Sequence, residues 1–201
     1  MTRTPRTAAA GLAFAATAAL VVGTVGTAHA APATAGGDGA NGYKTVGYYP
    51  AWDAGNEDGY QVADLQTTGA ASDLTHLNYA FGNVTTDLVC DITDREDPLD
   101  GGLEGDPLND YVQLKPAEHA VDGVADSADQ ALAGNFNQLK KLKEANPGLK
   151  VLISLGGWTW SDNFSDAVST PENRERLVES CLDVYFRGNL PVVQDAENGT
   201  K

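Results

Sequence analysis

Lys150-Val151-Leu152-Ile153-Ser154-Leu155-Gly156-Gly157-Trp158-Thr159-Trp160-Ser161 is the stretch on which the fold turns. A short apolar run ends on two glycines, and two tryptophans follow. A run of this length closed by a turn signal reads as a strand. Its nearly continuous apolar character predicts a strand covered on both faces of a parallel sheet. Two further runs lie upstream. Thr45-Val46-Gly47-Tyr48-Tyr49 is β-rich and ends at Pro50, and Leu74 to Phe81 is closed by Gly82-Asn83.

Helical patterns alternate with these strands. Leu132, Phe136, Leu139 and Leu142 recur at helical spacing opposite Lys140, Lys141 and Lys143, and Asn146-Pro147-Gly148 stops the run. Ser169-Thr170-Pro171-Glu172 is a helix-start signal, and Leu177, Val178, Cys181, Leu182 and Tyr185 then form one apolar stripe up to Arg187-Gly188. A short helix is expected between Tyr60 and Ala71. The resulting βα rhythm specifies an α/β fold with a parallel sheet. A (β/α)8 barrel and a doubly wound sheet both gather strand ends on one side, so the rhythm alone leaves both open. Thr85 to Asp129 breaks it: this long, acidic, apolar-poor segment is expected to be a solvated insertion. Asp91 to Glu96 within it lacks the glycine and ligand spacing of a calcium loop.

The first thirty residues read as an export signal. Arg3 and Arg6 precede an apolar run from Ala8 to Val22, and Ala28-His29-Ala30 offers a small-x-small cleavage site. The run is short for a membrane span. Residues 31–42 are a small-residue leader, and order is expected from Tyr43 onward. With 13 basic against 28 acidic residues the chain carries a net charge of −15, which argues against nucleic acid and anionic membrane as partners. Secretion and an uncharged extracellular substrate fit this balance. Cys90 and Cys181 make an even count, which in an oxidising compartment favours a bridge over two buried thiols. Neither sits in a zinc-ligand pattern, and neither a metal nor another cofactor is expected.

Each strand carries aromatics or glycines at its C-terminal end: Tyr48, Tyr49 and Trp52; Phe81; Gly157, Trp158 and Trp160. Any one of them alone reads as packing beneath a loop. Together, at neighbouring strand ends, they suit the apolar C–H faces of sugar rings. Gly156-Gly157 permits positive φ and close backbone approach. No phosphate-binding glycine loop and no Gly-x-Ser-x-Gly nucleophile elbow occurs.

Four ordered blocks resemble the family 18 glycoside hydrolases, and within them bacterial chitinases of the actinomycete type. The blocks are Val46 to Tyr49 with Trp52, Leu74 to Phe81, Gly134 to Leu139, and Ser154 to Ser161, the last holding the Ser-x-Gly-Gly signature. The resemblance implies a (β/α)8 TIM barrel with its first three βα units in residues 43–201. It further implies retaining, substrate-assisted hydrolysis of β-1,4-linked N-acetylglucosamine in chitin or chitooligosaccharides by a protein that is monomeric when complete. By resemblance, Trp158 lines the subsite beyond the cleaved bond and Trp52 is a platform farther along the sugar chain. Tyr48 and Phe81 flank the central sugar, beside Gly157, and Ser154 supports the catalytic carboxylates from behind.

Those carboxylates belong to an Asp-x-x-Asp-x-Asp-x-Glu motif, which no stretch of these 201 residues matches. Asp195-Ala196-Glu197 has the wrong spacing and lies in a polar tail. No catalytic residue is therefore assigned, and the chain alone is expected to be inactive, marginally stable and to stop ahead of the motif. A second departure is Ser127-Ala128, where the family often has an aromatic. The competing readings are a non-catalytic, chitin-binding chitinase-like lectin and an unrelated secreted α/β protein.

Overall fold

The computed structural model describes residues 42–56, 58–92 and 105–201. The expected export signal, the leader apart from Gly42, and residues 93–104 of the acidic segment lie outside the described residues. Three strands form a parallel sheet: β1 (Val46–Pro50), β2 (His76–Val84) and, after the hairpin strand β3 (Cys90–Asp91), β4 (Lys150–Leu155). β2 is central, with β1 and β4 on either side. Between β1 and β2 lie α1 (Val62–Thr67) and α2 (Ala70–Asp73). α1 opens on a capping box in which the Asp64 carboxylate accepts the Gln61 N–H at 2.7 Å. α3 (Gly134–Ala145) precedes β4, while α4 (Phe164–Ala167) and α5 (Pro171–Leu182) follow it. The Thr170 hydroxyl caps α5 by accepting the Asn173 N–H, with Pro171 in the first turn as the sequence specifies.

The register sorts the side chains into two faces, because successive residues of a strand point to opposite sides. Tyr49, Tyr79 and Ile153 pair across the sheet, as do Gly47, Leu77 and Val151. This face meets Val62, Leu65, Ala71, Leu139 and Leu142 from α1, α2 and α3, and forms the main core. The opposite face carries the rows Val46–His76–Lys150, Tyr48–Asn78–Leu152 and Pro50–Ala80–Ser154. Val46 is 55% exposed, Tyr48 62% and Leu152 45%. The expectation that β4 is covered on both faces is thus corrected. Among the described residues it pairs with β2 alone, and α5, which follows it, has no buried residue. The apolar stripe of α5 correspondingly stays partly wet, with Val178 exposed.

β2 also departs from expectation. It runs through Gly82-Asn83 to Val84 and returns as β3, pairing Asn83 with Asp91 and Val84 with Cys90. From there Cys90 is bridged to Cys181 of α5, with Cα atoms 4.8 Å apart, and its N–H donates to Ser180 Oγ at 2.9 Å.

The described part of the acidic segment is no solvated insertion. Ile92, Tyr111 and Val112 are buried with Val184 and Val193 in a second cluster, and Phe136 joins this cluster to the main core. Asp110 and Lys115 are buried as well. Backbone bonds dock the segment on the start of α3: Ala133 N–H to Tyr111 O at 3.0 Å and Gly134 N–H to Gln113 O at 2.9 Å. Gly134 has φ +59°, and a Cβ there would strike the Asn109 carbonyl, so the close approach needs glycine. Within the polar tail, Gln194–Asp195 and Gly199–Thr200 form a small antiparallel hairpin, β5 and β6. Among the described residues no helix is long and apolar enough to cross a membrane.

The bridge closes a separation of 91 residues and ties down a helix with no buried residue. Replacing Cys181 by Ser is expected to lower unfolding stability by about 2–4 kcal/mol. Amides of α5 should then exchange with solvent well ahead of those of α3. Denaturant titration and hydrogen exchange measure both, and an unchanged midpoint would refute the assignment.

Candidate functional site

The C-terminal ends of β1, β2 and β4 converge on one aromatic platform. β1 passes directly into a single 3-10 turn, Ala51–Gly55, which carries Trp52. The indole stacks on the Phe81 ring with centroids 5.8 Å apart and planes 17° off parallel. Phe81 sits where the pairing of β2 with β4 shifts by one residue, between Ala80 and Gly82, and the Ala80–Phe81 peptide is cis. Gly157 closes the group from β4. Its φ is +74°, and a Cβ built there would lie 2.7 Å from the Phe81 ring, so the ring rests on glycine backbone. Gly156 N–H donates to Gly82 O at 2.9 Å and Ser161 Oγ donates to Gly157 O at 2.6 Å, which holds the Gly-Gly turn.

Three of the residues singled out in the sequence are thus brought into contact: Trp52, Phe81 and Gly157. Trp158 follows at once and is fully exposed, and Trp52 keeps more than half of its surface in water. Tyr48 and Ser154 stand apart from the stack, on adjacent rows of the open sheet face. Cys90 and Cys181 are remote in role, joining β3 to α5.

Beneath the platform lies a buried polar layer. The Tyr79 hydroxyl donates to Asp110 Oδ1 and accepts from Asn135 Nδ2 at 3.1 Å, and the same amide reaches Ala51 O at 3.4 Å. Tyr79 packs face to face with Tyr49 and edge-on against Phe136. Desolvation pushes the Asp110 carboxyl up to about 8, with Asp106 adding to the rise and the Tyr79 bond opposing it. Burial also drives the Tyr79 phenol well above its usual range, and the neighbouring Asp110 adds to that. The sequence gives little sign of this layer. Asp110 lies in a polar stretch without periodicity, and Asn135 interrupts no pattern because it sits in the first turn of α3. At the other end of the chain, Asp195 Oδ1 accepts N–H bonds from Glu197 and Asn198, at 3.0 and 2.7 Å, so that carboxylate serves its own turn.

The platform can bind an apolar ring face and orient it, while the residues that form it carry no charge. The family model described as Glycosyl hydrolases family 18 matches residues 44–192. The chain is 43% identical over 155 residues to Chitinase C of Streptomyces lividans, covering 75% of this chain and 22% of that protein. It is 38% identical over 177 residues to Chitinase A1 of Niallia circulans, covering 79% of this chain and 23% of that one. The chain therefore spans about a quarter of the length of these relatives. Among solved structures it resembles the catalytic domain of psychrophilic chitinase B from Arthrobacter TAD20, with TM-score 0.67 and 42% identity, over 83% of this chain and 38% of that one.

The contact between Phe81 and Gly157 is open to direct challenge. Gly157→Ala places a Cβ against the ring at a backbone angle that side chains avoid, and should cost about 1–3 kcal/mol. The near-UV circular dichroism of the Trp52–Phe81 stack should weaken with it. A variant with parental melting temperature and parental near-UV signal would show that the two residues do not touch.

Proposed function

This chain belongs to the glycosyl hydrolases of family 18, and on that premise we propose that it is the N-terminal portion of a secreted chitinase. In this reading residues 43–201 supply the first three βα units of a (β/α)8 barrel. Trp52, Phe81, Gly157 and Trp158 line the groove that takes chitin or chitooligosaccharides, with Tyr48 and Ser154 facing the lumen. One observation carries the reading: an indole stacked on a phenyl ring that rests on a glycine, with the three residues drawn from three adjacent strand ends. The outer indole face is available to a sugar ring, whose C–H bonds pack on aromatic surface.

The open sheet face supports the barrel. A parallel sheet is ordinarily covered on both sides, yet here Val46, Tyr48 and Leu152 stay exposed on one side while the other is filled by α1, α2 and α3. Strands closing a barrel would turn that face into the lumen, and they would pair the edges of β1 and β4 that have no partner strand among the described residues.

The chemistry follows the substrate-assisted route of this family. A glutamic acid protonates the glycosidic oxygen, which departs as an alcohol while the acetamido oxygen of the same sugar attacks its own anomeric carbon to give an oxazolinium ion. Water then opens that ion from the side the alcohol left, returning a proton to the carboxylate, with net retention. This chain's residues position the sugar for that attack and keep its apolar face out of water. The acid itself lies in the Asp-x-x-Asp-x-Asp-x-Glu motif, absent from these residues. The export signal delivers the protein outside the cell, where its acidic surface tolerates an uncharged polymer and disfavours nucleic acid.

Binding of chitohexaose to the chain, followed by tryptophan fluorescence, tests this function. Trp52→Ala and Trp158→Ala should each weaken binding about 5–10-fold, the equivalent of roughly 1–1.4 kcal/mol. No hydrolysis products are expected from the chain on its own. Sustained turnover would overturn the claim that the acid is missing, and a folded chain that ignores chitohexaose would overturn the saccharide reading altogether.

A further inference from the structure

We propose that Asp110 is a positioning residue for the Trp52–Phe81 platform, acting through Tyr79 and Asn135 on the backbone segments that carry the two rings. The inference rests on the reading of that platform as a saccharide-binding wall, but its test needs no sugar.

The connection is made of adjacent covalent and hydrogen-bonded steps. Asp110 is 5% exposed and lies in the turn Leu108–Val112, which the backbone bonds of Ala133 and Gly134 hold against α3. Asp110 Oδ1 accepts a hydrogen bond from the Tyr79 hydroxyl, and Tyr79 is two residues from Phe81 in β2. Asn135 Nδ2 donates both to the Tyr79 hydroxyl and to the carbonyl of Ala51, the residue directly before Trp52. Asn135 is fully buried, and its Oδ1 has no partner among the described residues. Its orientation is therefore set by the two acceptors of its amide. One of these is the hydroxyl that Asp110 orients, so loss of the carboxyl's contact releases Asn135 and with it the Ala51 carbonyl. Asp110 thus reaches the backbone of both stacked rings while touching neither.

The charge state of Asp110 decides whether this layer holds. The groups acting with it are Asp106 on its own turn, Tyr79 and Tyr49 from the sheet, and Tyr185 from the turn after α5. These bring no positive charge, and burial keeps the proton on the carboxyl up to a pH of about 8. The sign follows from a folded-state value raised above the ordinary 3.8. The neutral form fits the dry site at lower pH, and the packed arrangement is lost as pH rises through about 8, when a charged carboxylate demands water and lifts the turn from β2.

The experiment places Trp52 as sole indole in a Trp158→Phe, Trp160→Phe background and follows its emission and acrylamide quenching from about pH 6 to about pH 9. The expected result is a transition centred near pH 8, red-shifted and more readily quenched on the alkaline side. Asp110→Asn, neutral throughout, should keep the low-pH signal and abolish the transition. Tyr79→Phe cuts the path from the carboxyl to both rings and should abolish the transition as well; if Asp110→Asn does not fold, this variant decides alone. An aspartate that only holds the fold together would titrate with global unfolding, so far-UV circular dichroism is expected to stay constant through the transition, and a parallel loss of helix signal overturns the inference. Absence of a transition in the parent, or its persistence in Asp110→Asn or in Tyr79→Phe, overturns the inference. A background that shows the transition, while the chain with all three tryptophans binds no chitohexaose, leaves Asp110's role intact and sinks the saccharide reading instead.

Discussion

Everything in this structure depends on the register that sets Tyr49, Tyr79 and Ile153 side by side across the three parallel strands. Because side chains alternate, a slip of one residue in any strand would send its core residues to the open face and its open-face residues into the core. Tyr79 could not then reach Asp110, and Phe81 would leave Trp52. The register is held by burial on one side only: Tyr49, Leu77 and Tyr79 are almost wholly buried against the helices, while Val46 and Tyr48 are not. The same alternation therefore fixes the core, the exposed face and the strand ends from which the aromatic platform is built.

The acidic segment shows how polar sequence can be core. Its described part contributes Tyr111 and Val112, both fully buried, and Tyr111 donates its hydroxyl to Pro191 O at 2.7 Å. Around them the charges are satisfied rather than solvated. Lys115 Nζ donates to Gln113 Oε1 at 3.1 Å, and desolvation holds its ammonium below its usual range. The Asp126 carboxylate accepts from Asn137 and Gln138 of α3, at 2.7 and 3.2 Å. A buried polar group is tolerated when partnered, and two or three aromatic or branched residues are enough to anchor a long segment whose average composition reads as surface.

This explains which parts of the fold and the site were legible in the sequence. β4 is found where the apolar run places it, and α5 starts at the proline and threonine that signal it, because both depend on local patterns. The stop of α3 at Asn146 is local too, since its side chain returns to the Leu142 carbonyl at 2.9 Å. What escaped is non-local. Gly82-Asn83 reads as the end of a strand, yet Gly82 is there because Ile153, Leu155 and the Tyr185 hydroxyl crowd the space a side chain would need. The open face of β4 cannot be seen in an apolar run, which says that a strand prefers cover and not that cover is present. Of the site, the three residues in contact were visible as aromatics and a glycine at strand ends; the Asp110, Tyr79 and Asn135 layer beneath them was not, because no spacing links residues brought together from three elements.

The platform and the acid differ in what they need from the fold. Trp52, Phe81 and Gly157 are placed by contacts among the ends of β1, β2 and β4, and these contacts close without help from the open face or from either free edge. An exposed aromatic surface is thus organised by these three strand ends alone. General acid catalysis asks for more: a carboxyl raised in pKa by a desolvated surrounding and held within hydrogen-bond reach of the glycosidic oxygen. In the proposed barrel that carboxyl would face the lumen, and the face that would line it here carries Tyr48 and Leu152 in contact with water. In the proposed barrel, recognition of the sugar would be settled early along the chain by local packing. In that reading the chemistry waits for closure, because the acid must meet the sugar across the lumen.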